Sequence, residues 1–490
     1  MTFKIAHDIK CVICRDLSAE VCYAYFNGRE SFPFVRNSVP IKMDKGVFNV
    51  KGITPKIGFT TMALPGYFLG DEMCASKHAE GLQMLKALEY DVCEGPCVFS
   101  PEEAREAGKQ FAQENVDCLF VFLATFVADY FVTELVKACD KPVFIWALDR
   151  EVTCITMVCT PLITASLKNL NKDCRVVSGE INDPYCVDAL SHYAKAAMLK
   201  NRLHGARIGY SGHKPEIMYS MAANEYLLDQ KLGVTVVNMP IEDFYAEADR
   251  QDEAAVKAKW EEMKPCFGCV DVREEDALLS IRYYMAARAQ VAQKNLKAYS
   301  LNCFPNLKAK ICLGIGMLND EHIGAGCEGD LHASILMTAI GMLAGQAAFN
   351  GDFLQLVREE NAIMFSHCGA GALSLAGGCK NICLKRSIET NDGLSVFYET
   401  QMPGTVTLVN LMNGGDHLRL SVMRGRSIPD RSGYEGNPLA LQFDGDVQGM
   451  PDKLAQCGAG HHWIGVSGDW VEEFSLFARM AGLKYTFITP

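Results

Sequence analysis

Residues 331–351 constrain this chain more than any other stretch: 21 consecutive positions without a charge. Asp330 and Asp352 bound the run. By length alone it could span a bilayer, and Gly341 and Gly345 form a GxxxG pair. His332, Gln346 and Asn350 inside the run argue instead for a helix buried at the centre of a globular fold. Such a helix has no solvent face, so other layers must cover it on all sides.

The rest of the chain supplies those layers. Residues 56–61 read as a buried strand, and 76–90 carry helical apolar spacing at Leu82, Leu85 and Leu88. Ser100, Pro101 and Glu103 form a capping box with proline at the first helical position, so a helix starts there. Residues 117–124 are a continuous apolar run, as expected of a strand covered on both faces. A helix over 130–138 and a strand over 142–148 follow. Strand–helix repetition predicts a doubly wound parallel sheet. The pattern restarts with a strand at 206–211, a helix at 215–229 and a strand at 234–238, with helical segments to about residue 296. A long polar helix over 184–203 is expected to bridge the two units. Beyond residue 350, short β-rich segments at 405–412 and 419–423 flank the turn Asn413-Gly414-Gly415. The predicted fold class is α/β: two doubly wound parallel-sheet domains followed by a β-rich C-terminal domain. The expected boundaries are 1–175 with an N-terminal extension 1–50, then 176–350 carrying the first metal ligand, then 351–490.

Composition narrows the partners. The chain has 490 residues, enough for two to four domains, and a net charge of −12. That balance argues against nucleic-acid and membrane partners, which need a basic face. The 21 cysteines are scattered through apolar runs and read as small buried hydrophobes in a reducing compartment. The first residues show no apolar leader segment, and a cytoplasmic location is expected. The CxxC at Cys11 and Cys14 and the pair Cys266/Cys269 read as incidental.

The ionisable residues gather around the uncharged run. Glu328 precedes it by three positions and Asp352 follows it, 24 residues from Glu328. A single straight helix would hold these carboxylates ~35 Å apart. Asp330 can cap a helix from Leu331, and Gly345 can stop it near Leu343. A returning strand over 347–354 then brings the two carboxylates to one end. If residues 358–361 form a hairpin loop, Val357 pairs with Ala362 and Asp352 lies opposite His367. Glu328, Asp352 and His367 thus converge into a hard oxygen-and-nitrogen donor set. It suits Mn²⁺, Mg²⁺ or Co²⁺. Near the C-terminus, His461 and His462 follow a glycine turn. Strand alternation lets only one of them enter a given site. Asp330 itself reads as a helix cap. His78, His192, His204 and His417 read as ordinary structural histidines. Cys368 is expected to face away from His367.

Residues 324–370, with CEGDLHASILMTAIGMLAGQAAFNGD and HCGAG, and residues 456–486, with GAGHHWIGVSGDWVEEFSLFARMAGL, resemble the L-fucose isomerase/L-arabinose isomerase superfamily. Over the first two-thirds of the chain the resemblance is architectural. It implies Mn²⁺-dependent aldose–ketose isomerisation of a small-molecule sugar, with Glu328 and Asp352 both catalytic and metal-binding. One of the two C-terminal histidines completes the set: His462 is taken as the ligand and His461 as a substrate contact. His367 and Trp463 are expected to wall the sugar. Asp at position 352 favours the fucose branch, whereas His367 is arabinose-like, so neither sugar transfers directly. The resemblance further implies a homo-oligomer, a hexamer in the family, with sites between subunits. Arg424, Arg426 and Arg431 could meet an anionic sugar such as sulfoquinovose. Two rivals remain: metal-dependent sugar lyase or aldolase chemistry, and a non-catalytic sugar-binding protein.

Overall fold

The computed structural model describes residues 52–66, 70–148 and 155–490. The segment 1–50 and the Cys11/Cys14 pair lie outside them.

The first sheet takes five parallel strands: β1 (Lys56–Met62), β2 (Asp91–Val98), β3 (Cys118–Leu123), β4 (Val143–Ala147) and β5 (Cys174–Ser178). Their order is β2-β1-β3-β4-β5. The central strand explains why its sequence is apolar throughout. Phe120 and Phe122 pack on one face with Trp146 and the helix Pro184–Leu203, while Leu119, Val121 and Leu123 pack on the other with Phe111 and Phe131. The helix Pro101–Gln113 begins where expected, with Ser100 Oγ accepting from the Glu103 amide.

The second parallel sheet contains β6 (Arg207–Ser211), β7 (Thr235–Met239), β9 (Ala298–Leu301) and β10 (Gly324–Gly326), in the order β10-β9-β6-β7. Between them in sequence, β8 (Cys269–Asp271) joins a different, small sheet. The helix expected over 215–229 is a correction. A 3₁₀ turn occupies Tyr219–Met221, and an α-helix runs over Glu225–Leu232. Asn224 is the reason: its side chain accepts from the Leu227 amide and caps a new helix.

The C-terminal strands are β11 (Phe349–Val357), β12 (Ala362–Ser366), β13 (Cys383–Lys385), β14 (Ser395–Phe397), β15 (Thr405–Asn413), β16 (Leu418–Ile428), β17 (Leu439–Gln442), β18 (His462–Ser467) and β19 (Lys484–Ile488). Pairing runs β15-β18-β11-β12-β17-β16, and β16 pairs again with β15. The six strands therefore close into an antiparallel barrel, with β19 added in parallel alongside β16. Closure removes the exposed edges that an open sheet would present. Alternation along the strands divides two cores. Trp463, Leu408, Phe365 and Leu441 fill one, and Ile464, Val466, Val409 and Leu420 face the helices.

The uncharged run is the helix Leu331–Ala344, packed against the helix Pro184–Leu203 and strands of both the second sheet and the barrel. Asp330 Oδ1 accepts from the Ala333 amide at its start, and Gly345 ends it in the left-handed conformation at φ 62°. Among the described residues no helix is long and apolar enough to cross a membrane.

Candidate functional site

Three backbone events bring the ionisable residues together. The first is a turn after β10. Glu328 and Gly329 both hold positive φ, 58° and 67°. For a glutamate that conformation is strained, and such strain persists where its surroundings over-determine it. Here the Glu328 amide donates to Cys303 Sγ (3.3 Å), and the Gly329 amide donates to the Leu301 carbonyl (2.9 Å). Gly329 admits no side chain, because a Cβ would lie 2.1 Å from the His213 carbonyl oxygen. The carboxylate thus projects beyond the C-terminal ends of β9 and β10, where open parallel sheets place their ligands.

The second event is the hairpin β11–β12. Val357 pairs with Ala362 as expected, but Asp352 pairs with Ser366 and not with His367. A bulge between Phe353 and Gln355 inserts one residue and slips the register. His367 follows the last residue of β12. The third event is the ladder β11–β18, which sets Asp352 directly opposite His462.

His462 is the hub. Its Nδ1 lies 2.8 Å from Asp330 Oδ2. Its Nε2 lies 3.1 Å from His367 Nε2, 3.7 Å from Glu328 Oε2 and 3.9 Å from Asp352 Oδ1. A carboxylate on Nδ1 holds the proton there and leaves the Nε2 lone pair facing the other acids. Burial pushes the Asp330 carboxyl up, but the bond to His462 outweighs it and holds the group at about 2. Asp330 is therefore more than a helix cap: it also orients the histidine.

His461 and His462 both approach Glu328, at 3.4 and 3.7 Å. The expectation that only one can enter is corrected. His461 precedes β18, so strand alternation does not govern it. Its turn is held by Asn410, whose Oδ1 accepts from the Gly460 amide and whose Nδ2 donates to the His462 carbonyl. The hydrogen bond to Glu328 raises the His461 imidazole above its usual range. Burial pushes Glu328 up, yet His461 and the neighbouring imidazoles hold it below the ordinary value.

Trp463, expected as a sugar-wall residue, is fully buried in the barrel interior with Phe349 and Leu408, on the face opposite His462. Cys368 is a second correction. It stands in the turn beyond β12, and its Sγ lies 3.0 Å from His367 Nδ1. Cys327, His367 and Cys368 bring their ligating atoms within 4.8 Å of one another, as do Glu328, His461 and His462. Arg424, Arg426 and Arg431 are engaged with Asp469, Gln442 and Glu360 on the barrel surface. Asn410 and the orienting role of Asp330 were not legible beforehand. Only the position of Asp330, two residues from Glu328, hinted at it.

The donors fit a divalent cation. Asp352 Oδ1 is buried and without a hydrogen-bond partner among the described residues, an unspent acceptor beside His462 and Glu328. Two carboxylates and an imidazole are a hard set. Fold and cluster together define a protein of two parallel α/β units and a barrel, with carboxylates and imidazoles gathered where the second unit meets the barrel.

No family model matches the chain. A sulfoquinovose isomerase from Priestia aryabhattai is 23% identical over 402 residues, spanning 79% of this chain and 89% of that protein. One from Alkalicoccus urumqiensis is 26% identical over 284 residues, 56% of this chain and 63% of that protein. An L-arabinose isomerase from a Nocardioides species is 20% identical over 331 residues, 64% of this chain and 66% of that protein. These relatives bear out the resemblance to the L-fucose isomerase/L-arabinose isomerase superfamily.

Proposed function

We propose that the protein is a metal-dependent aldose–ketose isomerase acting on a sugar by an ene-diol route. The observation that carries this reading is the convergence of Glu328, Asp352 and His462 at one end of the buried helix, with His461 and His367 beside them.

The chemistry moves a proton from the carbon beside a carbonyl to the carbonyl carbon. Glu328 and Asp352 both approach His462 Nε2, at 3.7 and 3.9 Å, so one carboxylate can take the proton as general base while the other returns it as acid. Asp330 keeps His462 in one tautomer throughout. His461, partly exposed and hydrogen-bonded to Glu328, is placed to bind a sugar hydroxyl. His367 accepts from the Cys368 amide on Nδ1 (2.8 Å), which turns its Nε2 towards His462 Nε2 (3.1 Å) at the edge of the site. Glu328, Asp352 and His462 would hold Mn²⁺, with Mg²⁺ or Co²⁺ equally suited to the donors; the ion supplies Lewis-acid polarisation of the substrate's neighbouring oxygens.

The relatives' names favour an anionic sugar of the sulfoquinovose class. A second copy of the chain walling the exposed side of His461 belongs to the same reading, and the mass of the assembly in solution reads it directly.

The deciding experiment is NMR of an aldose panel including sulfoquinovose, in D₂O, with metal-stripped protein and then with Mn²⁺ added. Ketose formation that requires the ion, with deuterium entering at C1, is expected. Carbon–carbon cleavage products, or turnover undiminished by chelation, would overturn the assignment.

A further inference from the structure

A second constellation of ligating side chains sits on the small sheet β14-β13-β8. Cys266 closes the 3₁₀ turn Lys264–Cys266, and Cys269 opens β8. Cys379 opens the 3₁₀ turn Cys379–Asn381, and Cys383 opens β13. The two segments are thus the same device twice, a turn cysteine followed by a strand cysteine, with spacings C-x₂-C and C-x₃-C. Both spacings fall within the range that supplies ligand pairs to tetrahedral zinc.

Tertiary structure sets the two devices side by side. β8 and β13 run parallel with Cys269 directly opposite Cys383, their Cα atoms 4.4 Å apart and their sulfurs bonded. The side chains of Cys266 and Cys379 are in hydrogen-bond contact. The turns are locked together by backbone. The amides of Gly268 and Cys269 both donate to the Ile382 carbonyl, at 3.0 and 3.3 Å. Lys380 Nζ donates to the Pro265 carbonyl at 2.8 Å, which places an ammonium beside the sulfurs. Gly268 cannot carry a side chain, since a Cβ would sit 2.0 Å from the Lys380 carbonyl oxygen. A disulfide alone uses two of the four cysteines and explains neither the Cys266–Cys379 contact nor the repeated spacing.

We propose that in its reduced form the quartet Cys266, Cys269, Cys379 and Cys383 is a structural zinc site that clamps segment 264–271 to segment 379–397. Binding forms four Zn–S bonds and releases four thiol protons to solvent. Where Cys269 and Cys383 are bonded to each other, a thiol reductant first supplies two electrons and two protons. Soft thiolates select Zn²⁺ here, as the carboxylates select a hard ion at Glu328. The clamp reaches the first site through backbone: β13 pairs with β14, and the Val396 amide donates to the Gly369 carbonyl two residues beyond His367.

The test is metal analysis of the full chain purified under a thiol reductant. About one zinc per chain should survive dialysis, and Glu328→Gln should retain it. The double variant Cys266→Ser with Cys379→Ser should lose it. Co²⁺ substitution should give thiolate charge-transfer bands in the wild type and in Glu328→Gln, and none in the double variant. If the double variant does not fold, Cys379→His keeps a ligand, so zinc should remain and the Co²⁺ spectrum should shift. Reduced wild-type protein that holds no zinc and shows no thiolate–Co²⁺ bands overturns the proposal. Zinc content unchanged in the double serine variant overturns it as well.

Discussion

The two faces of β18 do opposite work. His462 and Trp463 are sequence neighbours, and both are almost fully buried. His462 lies outside the barrel wall, against Asp330 at the start of the buried helix, where its ring nitrogens meet acids and another imidazole. Trp463 lies inside the barrel among Phe349, Leu408 and other apolar side chains. Burial alone therefore says nothing about role here. What separates the faces is the partner set: titratable groups on one, dispersion contacts on the other. Substitutions on the outer face should damage chemistry while leaving the fold, and those on the inner face should do the reverse.

The largest expected effect is on the outer face. Glu328→Gln and Asp352→Asn should each lower kcat by about 10³-fold, the usual worth of a positioned acid or base. Their melting temperatures should stay close to wild type. An unchanged kcat in either variant would remove that carboxylate from the mechanism. Next comes the inner face. Trp463→Ala should cost about 3–5 kcal/mol in denaturant unfolding, while kcat measured well below the melt stays near wild type. A loss of activity without a loss of stability would restore Trp463 as a sugar contact.

Asp330 sits between the two outcomes, since it caps the helix and orients His462. Asp330→Asn should lose about 10–100-fold in Mn²⁺ affinity or activity, read by titration of the metal-stripped protein. It also carries a pH signature. Its folded-state value of about 2 lies below the ordinary range, so its stabilisation is full above about pH 4 and fades as pH falls towards 2. The stability gap between wild type and Asp330→Asn should therefore narrow on acidification across that window. A gap that widens would contradict the hydrogen bond to His462. The smallest effect is expected at His461, half in solvent. His461→Asn should raise KM by about fivefold, the worth of one hydrogen bond, with kcat little changed.

Local signals carried much of this. The Asp330 cap and the Gly345 stop were legible because each acts within one helical turn. The Val357–Ala362 pair was legible because a short polar loop fixes the first rung of a hairpin. The register then slipped by one, because a bulge at an exposed strand edge leaves no apolar signature: Leu354 is 41% exposed and looks like any strand leucine. The helix over 215–229 differs for a related reason, since Asn224 is favoured at a helix cap but also occurs inside polar helices, and a single polar residue does not mark the break. His461 escaped strand alternation because the strand begins one residue later.

Sequence by itself determined the alternating α/β layers, the burial of residues 331–344 and the pair of acids that bound the run. These follow from periodicity and from capping chemistry, which act over a few residues. Only the tertiary structure decided that Asp352 faces His462, that Asp330 grips its other nitrogen, that the six strands close into a barrel and that Cys269 lies against Cys383. The site contacts join residues more than 100 positions apart, and they depend on strand order and bulges, which no local pattern encodes.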